Sequence, residues 1–424
     1  MNGVRAAVGG TLPMAILLSA ATLGGAEDGR RPIWPMYRGD PQRTGQSPFK
    51  GPTRMRVKWE LDLKHEICTA PAVGADGTLY AGAGAFSHAI APDGTVRWSH
   101  DFVESGHART SGSSNGPRQA FTSPTPALVP DGTLFLACGV GGPGFVMGLD
   151  SRPNAEKRIL WEYKTGQEMR SSPLVAGRTC FVGSRVEGMA LAFDGSGALR
   201  WPAGKSSFYG VTSSPALSPD GTTLYIGGFD GRLHALDAET GKAKWSAGPE
   251  KKGGIRLPEK DAGGKEVRRF TTAGHIPEAP AVAPDGAIYF GSWDGFLRAA
   301  APDGKIRWAI DLKDRLTSAP ALSTDGHILI SSFEGTLSTV RVVGGKPVVA
   351  WQVEANSRYS SPLVSSDGKV YVGTMDGRLS AYALASGEKV GELALGGWVY
   401  ASPVPGGDGI LYVGASDGLL RAVE

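Results

Sequence analysis

Cysteine is scarce in this 424-residue chain: Cys68, Cys138 and Cys180 are isolated from one another. Three scattered thiols do not make a disulfide framework. All three fall in what read as strands of successive repeats, where buried free thiols are expected unless neighbouring strands happen to align one pair. An excess of either charge is also missing, with 44 Lys plus Arg against 41 Asp plus Glu. That balance gives no reason to expect nucleic acid or an anionic membrane as partner. The seven histidines, His65, His88, His100, His107, His234, His275 and His327, show no paired metal spacing. Gly204-Lys205-Ser206 resembles the end of a phosphate loop, yet Leu199 stands where its first glycine is required. Gly112 to Gly116 contains serines but no following helix, so it is no nucleophile elbow. The only long apolar run, Leu12 to Leu23, is shorter than the roughly 20 residues that span a bilayer.

That run follows Arg5 and precedes Gly24-Gly25-Ala26, the pattern of a secretory signal cut after Ala26, with Ala21 as an earlier alternative. The expected organisation is a signal peptide over 1–26, a lead-in over 27–55 and one folded domain over 56–424. The mature protein is expected in the periplasm or secreted, not membrane-spanning, and monomeric. No cysteine lies near the cleavage site to carry a lipid.

Glycine is abundant, at 62 residues, and it punctuates a repeat. Ser213 to Trp245 holds four short apolar-rich runs separated by Asp220-Gly221, Asp230-Gly231 and Thr240-Gly241. Such pairs supply the positive φ of a tight hairpin, so the unit reads as a four-stranded antiparallel meander. Its start recurs as a Pro followed five residues later by Asp-Gly: Pro71, Pro126, Pro215, Pro280, Pro320, Pro362 and Pro403, with Pro173 and Gly177-Arg178 as a variant. Fourth-strand tryptophans follow at Trp98, Trp161, Trp201, Trp245, Trp308 and Trp351, and Glu392 is read at the seventh such position. The eighth unit ends after three strands, while Val57 to Leu63 around Trp59 is an orphan fourth strand. Joining them predicts an all-β, eight-bladed β-propeller of four-stranded blades, closed by its N-terminal strand. Asp-Gly pairs are read as turns and not as calcium ligands.

Ala235 to Trp245, with weaker copies at Ala91 to Trp98 and Ala301 to Trp308, resembles the tryptophan-docking repeat of pyrroloquinoline quinone (PQQ) propellers. The lead-in from Trp34 to Gly45 is similar to that family as well, and its Trp34 and Tyr37 are expected to pack on the domain. The resemblance implies a tryptophan girdle that is structural. Its enzymes carry adjacent cysteines over the quinone and a Ca²⁺ held by Glu, Asn and Asp; no residue here can be matched to those roles. Its non-enzymatic branch includes the propeller subunit of the outer-membrane assembly machinery. The expected function is therefore a non-enzymatic scaffold, without cofactor, for a protein or cell-envelope component. The alternatives are a quinoprotein oxidoreductase using PQQ with Ca²⁺, and a propeller binding carbohydrate or another small ligand.

Residues just before each first-strand proline are expected to rim the channel mouth: His65, Glu66, Glu168, Arg170, Tyr209, His275, Glu278, Arg315, Asn356, Arg358, Tyr359, Trp398 and Tyr400. Their mixture of charge and aromatic rings suits a polar ligand, a peptide or a partner's exposed strand. Two long connections, His100 to Phe121 and Gly248 to Gly274, are expected on the same face.

Overall fold

In the computed structural model, which describes residues 33–107, 124–139, 144–166, 169–184, 190–203, 211–248, 256–260, 266–270 and 274–424, the repeats become eight four-stranded antiparallel sheets. Blade 1 covers 72–101, blade 2 127–164, blade 3 174–203, blade 4 216–247, blade 5 281–311, blade 6 321–354 and blade 7 363–394. Blade 8 pairs three C-terminal strands with Val57–Asp62, in the order expected for ring closure. No helix occurs among the described residues. The expected leader over 1–26, Gly112 to Gly116 and Gly204-Lys205-Ser206 lie outside them. In the second long connection, Arg256–Lys260 and Glu266–Phe270 pair as a separate two-stranded ribbon.

Local chemistry explains the blades. Each first turn carries its glycine at φ between 59° and 87°, from Gly177 to Gly326 and Gly132. The preceding aspartate usually accepts the N–H two residues on, as Asp76 does from Thr78 at 3.0 Å, which closes the turn from its own side chain. Inner strands are two or three residues long and mostly buried, whereas outer strands alternate, as in Ile159–Lys164. The hydrophobic core therefore sits between the faces of successive blades.

Tryptophans latch blade 8 to blade 1, blade 4 to blade 5 and blade 6 to blade 7. Trp59 Nε1 donates to the Pro92 carbonyl at 2.8 Å, Trp245 to Pro302 at 2.9 Å and Trp351 to Leu384 at 2.8 Å. Each indole lies on the third-turn glycine of the following blade, respectively Gly94, Gly304 and Gly387. A Cβ there would press into the ring, so glycine at those turns serves packing as well as φ.

Two readings change. The seventh tryptophan position is Gly391, not Glu392: Gly391 faces Ala381 as Trp245 faces Ala235, and Glu392 faces Ser380. The bulge beside it, between Ala381 and Tyr382, is shared with the tryptophan blades, as between Ala235 and Leu236, so what misled the reading is the lack of an indole to mark the position. Met55, from the lead-in, occupies the space left by the missing indole, with its Cγ 3.0 Å from where a Gly391 Cβ would stand. Cys138 and Cys180 are buried in strands, but Cys68 lies in the loop entering blade 1 and is only partly buried. All three are free thiols.

Trp59→Ala should lower the unfolding free energy by about 2–3 kcal/mol, just under the roughly 3–5 kcal/mol for losing a fully packed indole, because Trp59 is half-buried. Urea unfolding checks this. An unchanged midpoint would mean that the backbone ladder of blade 8 closes the ring without its latch.

Candidate functional site

Eight inner strands arranged in a ring leave their channel-facing backbone edges without a neighbouring strand, and buried peptide groups need partners. The lead-in supplies them. Trp34 pairs with Val73 of blade 1, and Leu128 of blade 2 donates to the Pro35 carbonyl at 2.8 Å. Leu217, Val282, Leu322 and Val364, of blades 4 to 7, donate to Pro41, Gln42, Thr44 and Gly45 at 2.8–3.0 Å. Lys50 donates its N–H to Asp408 in the first turn of blade 8 at 3.0 Å. Blade 3 is reached by a side chain, as Arg43 Nη2 donates to the Pro173 carbonyl at 2.9 Å. One segment thus touches every blade in order.

Two buried guanidiniums complete this plug. Arg43 Nε donates to Pro215 O at 2.8 Å, while Arg38 donates to Pro362 O at 2.7 Å and Pro320 O at 3.1 Å. Burial lowers the Arg43 pKa to about 10, against support from Tyr37 and Asp40, so it stays protonated at neutral pH. Gly45, at φ 63°, lies so close to Arg38 Nη2 that a Cβ would fall 1.9 Å away. The expectation that Trp34 and Tyr37 pack on the domain holds, and both are buried.

Glu278 belongs to the plug and not to the open mouth. Tyr37 Oη donates to its Oε2 at 3.0 Å and sits 3.0 Å from Ser361 Oγ. Burial raises the Glu278 pKa to about 7, with Tyr37 and Arg38 pulling it down. The same burial and the nearby carboxylate raise the Tyr37 phenol.

First strands start on the face opposite the first turns, and there the remaining mouth residues stand. Tyr359 and Trp398 are 42% and 54% exposed, with Tyr400 between them: Tyr359–Tyr400 centroids are 5.6 Å apart and Trp398–Tyr400 6.1 Å. Arg315 and Arg358 both lie against Phe333, at 4.6 and 5.3 Å from its centroid. Phe333 itself meets Tyr359 edge-on at 6.3 Å. Loops entering blades 6, 7 and 8 therefore assemble one aromatic and cationic crescent. Asn356 is exposed at φ 53°, its carbonyl accepting from Met375 N–H at 2.9 Å. Arg170 is exposed, and Glu168 and Tyr209 lie outside the described residues.

Histidines at the rim are held by packing. His65 stacks on Phe86 at 5.1 Å, and buried His275 stacks on Phe229 at 4.0 Å with Trp293 edge-on at 5.0 Å. His275 Nε2 and Thr212 Oγ1 are 3.1 Å apart. Glu66 is exposed and 3.9 Å from Cys68 Sγ; burial, then that carboxylate, push the thiol up to about 11. Cys68 is thereby a poor nucleophile at neutral pH. Phe86 escaped the sequence reading as the first residue of the strand Phe86–Ile90, and Phe229, Trp293 and Phe333 escaped it because they sit in second turns. The signal of these last three is a residue directly preceding Asp-Gly or Glu-Gly, as in Phe229-Asp230-Gly231 and Phe333-Glu334-Gly335.

On the opposite face a cleft of about 350 Å³ separates blades 3 and 4, lined by Phe181, Leu217, Arg200 and Glu239. Its arginine and glutamate pair with each other. No group of three or more His, Cys, Asp or Glu able to hold a metal occurs among the described residues.

A family model described as outer membrane protein assembly factor BamB matches residues 88–257, 293–401 and 338–424. Among solved structures, the chain is similar to BamB from Moraxella catarrhalis, with 19% identity and a TM-score of 0.61 over 87% of this chain and 99% of that one. It is also similar to quinohemoprotein alcohol dehydrogenase from Comamonas testosteroni, with 17% identity and a TM-score of 0.68 over 96% and 83%. A computationally designed protein, Ika8, aligns with 15% identity and a TM-score of 0.62 over 85% and 98%. These likenesses are of fold. A curated relative, Protein Rv3035 of Mycobacterium tuberculosis (strain ATCC 25618 / H37Rv), is 63% identical over 38 residues, so the match spans 9% of each chain.

Arg43→Ala should destabilise the protein by about 3–5 kcal/mol, because several buried carbonyls lose their donors together. Calorimetric melting checks it. Glu278 has a folded pKa above its unfolded value, so its favourable contribution is complete below about pH 4.5 and is lost as pH rises through about 7. Glu278→Gln should accordingly melt like the wild type at pH 5 and above it at pH 8. The difference should be about 1–3 kcal/mol, kept low by the residual exposure of Glu278.

Proposed function

The chain belongs to the family described as outer membrane protein assembly factor BamB, and from that premise we propose that it is an exported, non-enzymatic scaffold of the cell envelope that holds a protein partner on its mouth face. The observation that carries this reading is the crescent in which exposed Arg315, Tyr359 and Trp398 stand with half-buried Phe333, Arg358 and Tyr400, on a ring whose inner strands the lead-in pairs. Exposed aromatic and arginine side chains on a rigid frame are the residues that dominate binding energy at protein interfaces, since they bury much area and lose little conformational freedom.

The mechanism is presentation. The blades hold the entry loops at fixed spacing, and no covalent step is involved. The first 26 residues support export, through the charged start, apolar run and small residues noted above.

A quinone enzyme would need a different set of groups. Ca²⁺ takes six to eight oxygen ligands at 2.3–2.6 Å; of the expected rim carboxylates that are described, Glu66 is exposed and Glu278 is engaged by Tyr37. The three cysteines are far apart in sequence and free. The residues present do not fit a quinone with its metal, and no step is derived through one.

Two measurements test the reading. Titration of the purified protein with PQQ and Ca²⁺ should leave its melting temperature and tryptophan fluorescence unchanged and yield no dye-linked alcohol oxidation; saturable, metal-dependent stabilisation would overturn the scaffold. In the native host, a photocrosslinker replacing Trp398 should capture one defined envelope protein, while the same group at Lys58, on the outer strand of blade 8, should not. Equal labelling from both positions would remove the mouth as the partner face.

A further inference from the structure

In two blades a third-strand arginine is neutralised by the aspartate of its own second turn. Arg298 reaches Asp294 at 2.6 Å in blade 5, and Arg421 reaches Asp417 at 2.6 Å in blade 8. Blade 6 has no such pair. Its second turn is Phe333-Glu334-Gly335, and the strand position matching those arginines is Ser338. Two guanidiniums come instead from neighbouring entry loops, Arg315 and Arg358, and both converge on the single ring of Phe333. Neither has a carboxylate partner among the described residues, and Arg358 Nε is buried without an acceptor. The nearest carboxylate in sequence, Asp314, is spent on backbone donors: Arg315 N–H at 2.7 Å and Glu334 N–H at 2.6 Å.

Like charges crowded on one ring repel unless an anion lies between them. The loops that carry them are nevertheless fixed. Phe333 N–H donates to Arg315 O at 2.8 Å, and Thr317 Oγ1 donates to Arg358 O, tying the two loops together. The charges are held together by the frame, not by each other.

We propose that Arg315 and Arg358 form an anion-binding subsite for a side-chain carboxylate of an extended partner segment, whose next same-face apolar side chains lie on Tyr359 and on the Tyr400–Trp398 pair. The ring spacing argues for an extended chain. Centroids step by 6.3, 5.6 and 6.1 Å from Phe333 to Trp398, close to the roughly 6.6 Å between alternate side chains of a strand. An arginine fork donates two parallel hydrogen bonds to a carboxylate, which sets the register of such a segment. The inference rests on the mouth being the partner face and adds the chemistry of what it reads.

The test uses the full mature protein and a rhodamine-labelled nonapeptide, Gly-Ser-Glu-Ser-Leu-Ser-Leu-Ser-Gly, followed by fluorescence anisotropy. Saturable binding is expected, weakened at least about tenfold by Arg315→Gln, by Arg358→Gln and by Gln in place of the peptide's Glu. Arg358→Lys should recover part of the affinity, since it keeps the charge and loses the fork. Melting temperatures of the variants report whether the mouth is intact. Binding that ignores both arginine variants overturns the subsite, and so does preference for inorganic phosphate or anionic phospholipid vesicles over the peptide. If the Trp398 crosslink persists while no variant changes peptide binding, the subsite fails and the scaffold reading stands; if the crosslink is lost too, the mouth itself is the wrong face.

Discussion

Backbone groups on the channel side of the ring have to be paired, and the fold depends on how that is done. Eight blades are wide enough to leave a gap at the axis, and the two-residue inner strands have no strand beyond them. Arg38 and Arg43 meet the demand from inside the gap. An arginine carries several donors in a rigid fork, so two side chains serve carbonyls on blades 3, 4, 6 and 7 at once. Burying such charges is costly in itself. The cost is offset because Asp40 and the Tyr37–Glu278 pair lie close by and the carbonyls are already aimed inward.

That arrangement decides what the propeller can present. With the lead-in along the channel floor, the accessible chemistry moves to the entry loops and second turns. The phenyl ring of Phe333 is the pivot there, since it receives Arg315, Arg358 and the edge of Tyr359 from two different loops. A rim residue that points inward joins the plug, as Glu278 does. One that points outward joins the crescent, as Tyr359 does. Entry-loop residues thus have two fates, settled by what lies beneath them.

Blade number and ring closure were legible before any coordinates, because Asp-Gly turns and tryptophans mark each unit with local chemistry. Asp220-Gly221 makes a tight turn wherever it occurs, and an orphan strand around Trp59 has one place to go when the last unit lacks its fourth strand. The candidate site was legible only in part. Five of the thirteen rim residues, Arg315, Arg358, Tyr359, Trp398 and Tyr400, meet in one crescent, yet the ring that joins the arginines was overlooked because it lies in a second turn. Gly391 shows the same limit from another direction. Without an indole the position carries no local mark, and Met55, more than 300 positions away, fills the space.

What the sequence by itself determined, then, is the repeating unit, its count and the manner of closure, since turns, strand alternation and tryptophan spacing act over a few residues. Only the tertiary structure decided which residues share a site. Arg315 and Arg358 are 43 positions apart and Tyr37 is 241 from Glu278, and such separations carry no local signal. They become neighbours because the ring brings every blade's entry loop to one axis, where charge, burial and the threaded lead-in assign each side chain its partner.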